Sequence, residues 1–278
     1  MENKKEPFYK NELSCLYNGD CLEVLKRLPN ECVDLVVTSP PYDDLRSYNS
    51  IFDINELTKQ LYRVLKNGAV IVWNVNDKIK NGTKSLTSFK QAIVFNENGF
   101  NVNDVMIWEK TNPMPQIKQP RYNQVFEYMF IFSKGKPKTF NPIMVDCKSA
   151  NKEYKSTCKS ITKDKQRKYK EFKINKQKVD NNIWKFAVAQ NKTNHPAVFP
   201  LELPLRHIKT WTNENDIILD CFMGSGTTGV ACEMLKRRFI GIEIDENYFD
   251  ISKKRIQSVK KENKLLNIFD FIEDENKC

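Results

Sequence analysis

The 278-residue sequence predicts an α/β fold, a doubly wound and mostly parallel sheet carrying an inserted basic region. Three observations lead there. Apolar, β-branched runs such as "VDLVVT" at 33–38 alternate with stretches of helical period, the pattern of strands buried on both faces between helices. A strand, glycine loop, helix and strand follow one another in "NDIILDCFMGSGTTGVACEMLKRRFIGIEID", 215–245. Between these halves the alternation lapses and lysines accumulate.

Taken in order, residues 13–19 and 33–38 read as strands, and "DCLEVLKRLP" between them places Leu22, Leu25 and Leu28 at helical spacing, a βαβ start. "INELTKQLYRVLKNG" repeats that period and is expected to end at Gly68, before the strand "AVIVWNV". A helix near 85–97 precedes the strand-like runs "DVMIWEK" and "EYMFIFSK", and a last amphipathic helix starts near Glu246. The expected organisation is a catalytic part over 1–135, a basic insertion over 136–182, and a cofactor-binding part of the same domain over 183–278.

Composition bounds the function. At 40% apolar and 29% charged residues the chain reads as globular. The polar start "MENKKEPFYK" and the lack of an 18-residue apolar span imply a cytoplasmic protein with no membrane partner. Eight cysteines without a CxxC pair and two histidines give no metal-ligand spacing. The net charge is +10. From Lys148 to Lys178 twelve Lys or Arg face Glu153, Asp164 and Glu171, so this segment alone holds a surplus of nine. Interleaved Tyr154, Tyr169 and Phe172 fit a surface that follows phosphates and offers rings to bases, although a lysine run alone also fits a solvated insertion.

The loop "DCFMGSGTTG" matches GxGxxG at Gly224, Gly226 and Gly229 between a strand and a helix. Glycines let a ligand approach the backbone, and the helix start offers unpaired N–H groups. Glu243 ends the next strand, where a carboxylate can accept both hydroxyls of a ribose, so a nucleoside cofactor is expected. No lysine follows the glycines, which excludes a P-loop. The loop alone fits NAD or S-adenosylmethionine; Asp220 just before it favours a cationic amine over a pyrophosphate.

"TSPPY", 38–42, is the second constellation. The amine of a nucleobase is a poor nucleophile because its lone pair is delocalised, so it must be held in line with its hydrogens bonded to acceptors. Ser39 offers an Oγ, and the carbonyl of Ser39 or Pro40 a second acceptor. Pro40 and Pro41 fix φ and remove N–H donors, and Tyr42 supplies a stacking face worth about 1–3 kcal/mol per base. Alone, the stretch also reads as a turn after a strand.

"TSPPY" followed far downstream by "DCFMGSGTTGVA" resembles the amino-methylating DNA methyltransferases, in the β-type order with target recognition between the two motifs. The resemblance covers nearly the whole chain. It implies a Rossmann-like methyltransferase sheet, S-adenosylmethionine as cofactor and double-stranded DNA as substrate. "NGDCLEVLKRLP" is similar to the element that brings Asp20 near the adenosine, and "WEKTNPMPQIKQPRYNQVFEYMFIFSKG" to the segment beside the target base. "NHPAVFPLELPLRHI" is similar to the element closing over the methionine part, which implies Pro200 there and leaves His195 and Pro196 open between contact and turn. Phe222, Gly224, Gly226, Thr227, Thr228 and Glu243 fall on the family's cofactor positions, with Asp220 before them.

"TSPPY" resembles the form frequent in enzymes that methylate cytosine N4, while "DPPY" typifies adenine N6, so cytosine N4 is expected with adenine N6 as the alternative. Cytosine C5 chemistry needs a thiolate, and the clamp has no cysteine. Trp108 and Glu127 read as strand core and a local hydrogen bond. An NAD-dependent oxidoreductase and a non-catalytic nucleic-acid-binding module are the rival readings; the first gives "SPPY" no role. A restriction endonuclease partner and a homodimer are left open by the sequence.

Overall fold

The computed structural model describes residues 8–41, 53–113, 120–149, 153–157, 169–173, 175–188 and 199–262. Its elements are β1 (Phe8–Lys10), β2 (Ser14–Asn18), α1 (Cys21–Arg27), β3 (Val33–Thr38), α2 (Ile54–Val64), β4 (Leu65–Val75), β5 (Ile79–Lys80), β6 (Thr83–Lys84), α3 (Thr87–Glu97), β7 (Asn101–Lys110) and β8 (Phe126–Ser133). There follow β9 (Met144–Asp146), β10 (Glu153–Thr157), β11 (Tyr169–Lys173), β12 (Gln177–Val179), β13 (Ile183–Phe186), α4 (Glu202–Trp211), β14 (Ile217–Asp220), α5 (Thr227–Met234), β15 (Arg238–Glu243) and α6 (Glu246–Glu262).

Among the described residues nine strands form one sheet, in the order β1-β2-β15-β14-β3-β4-β8-β7-β13. All pairs are parallel except β1 with β2, and β8 with its neighbours β4 and β7, so the other strands share one direction and their carboxyl ends lie on one edge. From β14 the chain runs through α5 to β15 on one side, and from β3 through α2 to β4 on the other. The strand order therefore reverses between β14 and β3, and the crevice outside their carboxyl ends is where such sheets take ligands. The fold is the doubly wound, mostly parallel α/β sheet that the sequence predicts.

Helices α1, α2 and α3 pack in a row over one face and α4, α5 and α6 over the other. Under the first row lies an aromatic core in which Phe95 stacks on Phe132 at 4.3 Å and the buried Trp73 indole donates to Gln91 at 2.9 Å. Asp53 caps α2, whose Leu57, Leu61 and Val64 are buried at helical spacing. The expected end of this helix at Gly68 is corrected. Helix α2 stops at Val64 and Leu65 already pairs with Val33, after which the register shifts before Leu35 meets Val70. Gly68 lies in that irregular stretch at φ +80°, where a Cβ would sit 2.8 Å from the Lys138 Cβ. It is a bulge glycine of β4, not a helix terminator.

The chain separates into two compact units, 1–141 with 183–278, and 142–182. Residues 136–141 hydrogen-bond into the first, through Lys138 N to Gly68 O and Asn141 N to Thr210 O. The described residues of the second unit form short antiparallel ladders, β9 with β12 and β10 with β11. Among the described residues, no helix is long and apolar enough to cross a membrane.

At the switch point one carboxylate holds three segments together. Asp220, 1% exposed, accepts the Thr38 hydroxyl of β3 on Oδ1 and the Thr228 hydroxyl of α5 on Oδ2, each at 2.7 Å, with the Phe222 N–H on Oδ1 at 3.1 Å. Burial pushes its pKa up to about 6 against the opposing pull of those three hydrogen bonds. Because the folded carboxyl binds its proton more tightly than the unfolded one, its contribution to stability is present below pH 4 and is lost as pH rises to about 6, a change on the order of 3 kcal/mol. Denaturant unfolding of the wild type and of Asp220→Asn from pH 4.5 to 8 is expected to show the wild-type advantage shrinking as pH rises. An advantage that grows with pH would contradict the assignment.

Candidate functional site

Two segments far apart in sequence meet on the carboxyl edge. Strand β3 ends at Thr38 and runs into Ser39, Pro40 and Pro41; β14 ends at Asp220 and runs into the glycine loop. The strands are paired in parallel, Ile218 with Leu35 and Leu219 with Val36, so the two loops leave neighbouring strands on one side of the sheet. Ser39 and Pro41 are half-buried and Pro40 is buried. Tyr42 lies outside the described residues, as do His195 and Pro196.

The glycine loop is shaped by packing from behind. Gly226 precedes α5 with φ +81°, and a Cβ there would lie 2.8 Å from the Ser252 Cβ of α6. A Cβ on Gly229 would collide with Ile256 and Phe239, so this glycine lets α5 lie close to α6 and β15. Arg255 of α6, which the sequence reading did not single out, donates through Nη1 to the Ser225 hydroxyl at 2.8 Å and to its carbonyl. The loop is thereby tied to α6. Thr227 and Thr228 form the first turn of α5; both are buried, and Thr228 belongs to the Asp220 bridge.

Glu243 ends β15 beside this loop. One carboxylate oxygen accepts the Gly224 N–H at 2.7 Å and the other the Asp245 N–H at 2.9 Å. Burial raises its pKa and those two N–H groups lower it. Each oxygen keeps a lone pair, so the carboxylate can still accept hydroxyls from a ribose. Phe222 is partly buried, its ring 6.2 Å from that of Trp73, and it joins the loop to β4. These groups fit a nucleoside cofactor.

Asp20 lies at the end of β2, next to β15, where Gly19 N donates to the Glu243 carbonyl at 3.0 Å. Its Oδ1 caps α1 through Leu22 N and Glu23 N, at 2.9 and 3.1 Å. Pro200 is buried at the start of α4 and accepts Leu203 N at 3.2 Å. The described contacts of Asp220 differ from the expected service to a cationic amine. The carboxylate turns inward, and its hydrogen bonds go to Thr38, Thr228 and the loop backbone. A strand-end carboxylate reads the same in sequence whether it faces a ligand or a neighbouring hydroxyl.

A polar chain on the same edge was only half visible in the sequence. Thr38 pairs with Trp73 of β4, so Asn74 follows Trp73 on the strand beside the one that runs into Ser39. Asn74 Nδ2 donates to Glu127 at 2.8 Å, and Lys110 Nζ donates to the other Glu127 oxygen at 2.7 Å. The local hydrogen bond expected of Glu127 is present, and Trp108 is core at 3% exposure, its indole donating to the Phe186 carbonyl. Lys110 was missed because β7 and β8 meet across a long connection. A shielded ion pair is a poor source of stability, whereas it fixes the orientation of the groups it touches. Cys221, 2% exposed, has its thiol pushed well above the ordinary range by burial, so it offers no thiolate at this edge.

The family profile described as DNA methylase, covering N6 and N4 methyltransferases, matches residues 33–254. The orphan methyltransferase M.BamHII of Bacillus amyloliquefaciens is 44% identical over 238 residues, 81% of this chain and 89% of its own. The Type II methyltransferase M.BglII of Bacillus subtilis is 30% identical over 270 residues, 92% of this chain and 72% of its own. Among solved structures, the M1.HpyAVI–SAM complex superposes with a TM-score of 0.61 at 31% identity, over 88% of this chain and 99% of that one. A cytosine-N4-specific PvuII DNA methyltransferase has the same fold, with a TM-score of 0.67 at 21% identity over 93% and 95% of the two chains. A profile match across most of the chain, over a sheet that sets the "SPP" turn beside the glycine loop, makes this protein a member of the N4/N6 family of amino-methylating DNA methyltransferases.

Proposed function

We propose that the enzyme transfers the methyl group of S-adenosylmethionine to the exocyclic amine of a base flipped out of duplex DNA, and that this amine is cytosine N4. The observation that carries the reading is the pairing of β3 with β14, which puts the Ser39–Pro41 turn and the glycine loop side by side.

When bound, S-adenosylmethionine supplies an electrophilic sulfonium methyl. On this chain, Glu243 takes the ribose hydroxyls, Phe222 lines the nucleoside, and the Gly224–Gly226 backbone lets it approach. Asp20, Pro200, Thr227 and Thr228 shape the same cleft, and Asp220 holds its floor. Ser39 Oγ and the carbonyl of Ser39 or Pro40 accept the hydrogens of the target amine, so electron density returns to its nitrogen as the new C–N bond forms. Pro40 and Pro41 keep those carbonyls from turning inward, and Tyr42 stacks on the base. With the donor bound, an amine nitrogen held by these acceptors would give its lone pair to the methyl carbon, the C–S pair would stay on the donor's sulfur, and one amine proton would leave to solvent. No covalent enzyme intermediate forms.

Serine in place of aspartate at the head of the "PP" turn supports cytosine over adenine. The lysine-rich unit over 142–182 is read as target recognition, engaging phosphates and a groove. One chain carries both clamp and cofactor loop, so the step needs neither a restriction endonuclease nor a second copy.

Incubation with methyl-labelled S-adenosylmethionine and unmodified duplex DNA, followed by digestion, is expected to place the label in N4-methylcytosine. Label in N6-methyladenine would reassign the base and keep the reaction, while no label on any DNA would remove the enzymatic reading. Ser39→Ala is expected to lower kcat by roughly 100-fold, the scale of losing one oriented hydrogen-bonding group, with cofactor affinity unchanged; an unaltered kcat would remove Ser39 from the clamp. Gly226→Ala forces a Cβ onto Ser252 at positive φ, so calorimetry is expected to show weakened cofactor binding.

A further inference from the structure

Beside the clamp, the carboxyl end of β4 leads straight into the β5–β6 hairpin, and residues 120–126 lead into β8 at the same edge. Two cations join these segments. Lys84 of the hairpin donates to Gln124 Oε1 at 2.7 Å, and Arg121 reaches back through Nη2 to the Gly82 carbonyl at 2.5 Å. Gln124 Nε2 and Asn76 Nδ2 both donate to the Phe126 carbonyl, which ties the pair of segments to the end of the sheet.

This corner sets two cations, Lys84 and Arg121, against the carboxylate of Asp77. Burial lowers the pKa of Lys84; Asp77 opposes that effect and Arg121 adds to it. Asp77 is occupied as the anchor of α3, its Oδ1 accepting both the N–H and the hydroxyl of Ser88 at 2.9 Å. Among the described residues no carboxylate comes within ion-pair distance of Lys84 or Arg121. The Arg121 Nε is shut off from solvent with no hydrogen-bond partner. Two neighbouring cations repel, and one anion with several acceptor oxygens relieves that repulsion. Next to Arg121, Tyr122 is 100% exposed.

We infer that Lys84 and Arg121 form a binding site for a backbone phosphate of the DNA strand entering the clamp, with Tyr122 giving its ring to the adjoining nucleotide. The inference rests on the DNA-methylating reading above. Arg121 offers a planar fork suited to two phosphate oxygens, and Lys84 adds a point charge. The site lies on the described edge of the sheet and adds to the lysine-rich unit a contact close to the reacting base.

The test is the salt dependence of binding to a short unmodified duplex for Lys84→Gln, Arg121→Gln, the double variant and Tyr122→Ala, with thermal unfolding and S-adenosylmethionine calorimetry on each. Each lost cation is expected to make the log–log salt slope shallower by about 0.9, and the double variant by about twice that. Tyr122→Ala is expected to weaken binding by roughly 5- to 150-fold with the slope unchanged. Should Arg121→Gln fail to fold, Lys84→Gln and Tyr122→Ala carry the test. Folded Lys84→Gln with a wild-type slope would overturn the site. So would weakened cofactor binding at constant slope, which would assign the anion to the cofactor's carboxylate. Wild-type methyl transfer is measured alongside: its absence counts against the functional reading, an unchanged slope against this site alone.

Discussion

The buried carboxylate of Asp220 is the constraint on which the rest of the site depends. Its two oxygens join the last residue of β3 to the first turn of α5 and to the backbone of the glycine loop. An ionised carboxylate in so enclosed a place is unfavourable unless its lone pairs are taken, and here two threonine hydroxyls and an amide take them. The arrangement trades stability near neutral pH for a fixed relation between two chain segments that the sequence holds more than 170 residues apart. A rigid relation of that kind is what in-line transfer between two bound groups requires.

Around this centre the two halves of the site are built by different means. The side proposed for the cofactor is moulded by packing: Gly226 against Ser252, Gly229 against Ile256, and Arg255 bonded to Ser225. On the side proposed for the base a line of polar groups runs along the edge, in which Lys110 and Glu127 orient Asn74 on β4, the strand beside β3. A loop fixed by packing suits a cofactor that is the same at every turnover. A hydrogen-bonded edge suits a base whose amine must be held by its protons.

Much of this was legible in the sequence because its signals are local. The β-branched run at 33–38, the leucine spacing of α1 and the strand–glycine–helix order at 217–234 each depend on neighbouring residues, and each is where it was expected. Longer-range features were not legible. Gly68 looked like a helix stop, whereas a strand register shift against Val33 and the passage of Lys138 decide its role. Asp220 looked outward because nothing local announces Thr38 and Thr228 as its partners. Lys110 pairs with Glu127 only once the β7–β8 ladder exists, and the edge strands β1 and β13 are too short to show a period. The short ladders at 144–146 with 177–179 and 153–157 with 169–173 lie where charge hides the alternation.

The central claim is that one crevice at the β14–β3 switch point holds both donor and acceptor. A crystal structure of the enzyme with S-adenosylmethionine and duplex DNA tests it most directly. The ribose is expected on Glu243 and the sulfonium methyl turned toward Ser39 and Pro40, with the extruded base between them. A cofactor bound at the opposite edge of the sheet, or a methyl directed away from Ser39, would contradict the account.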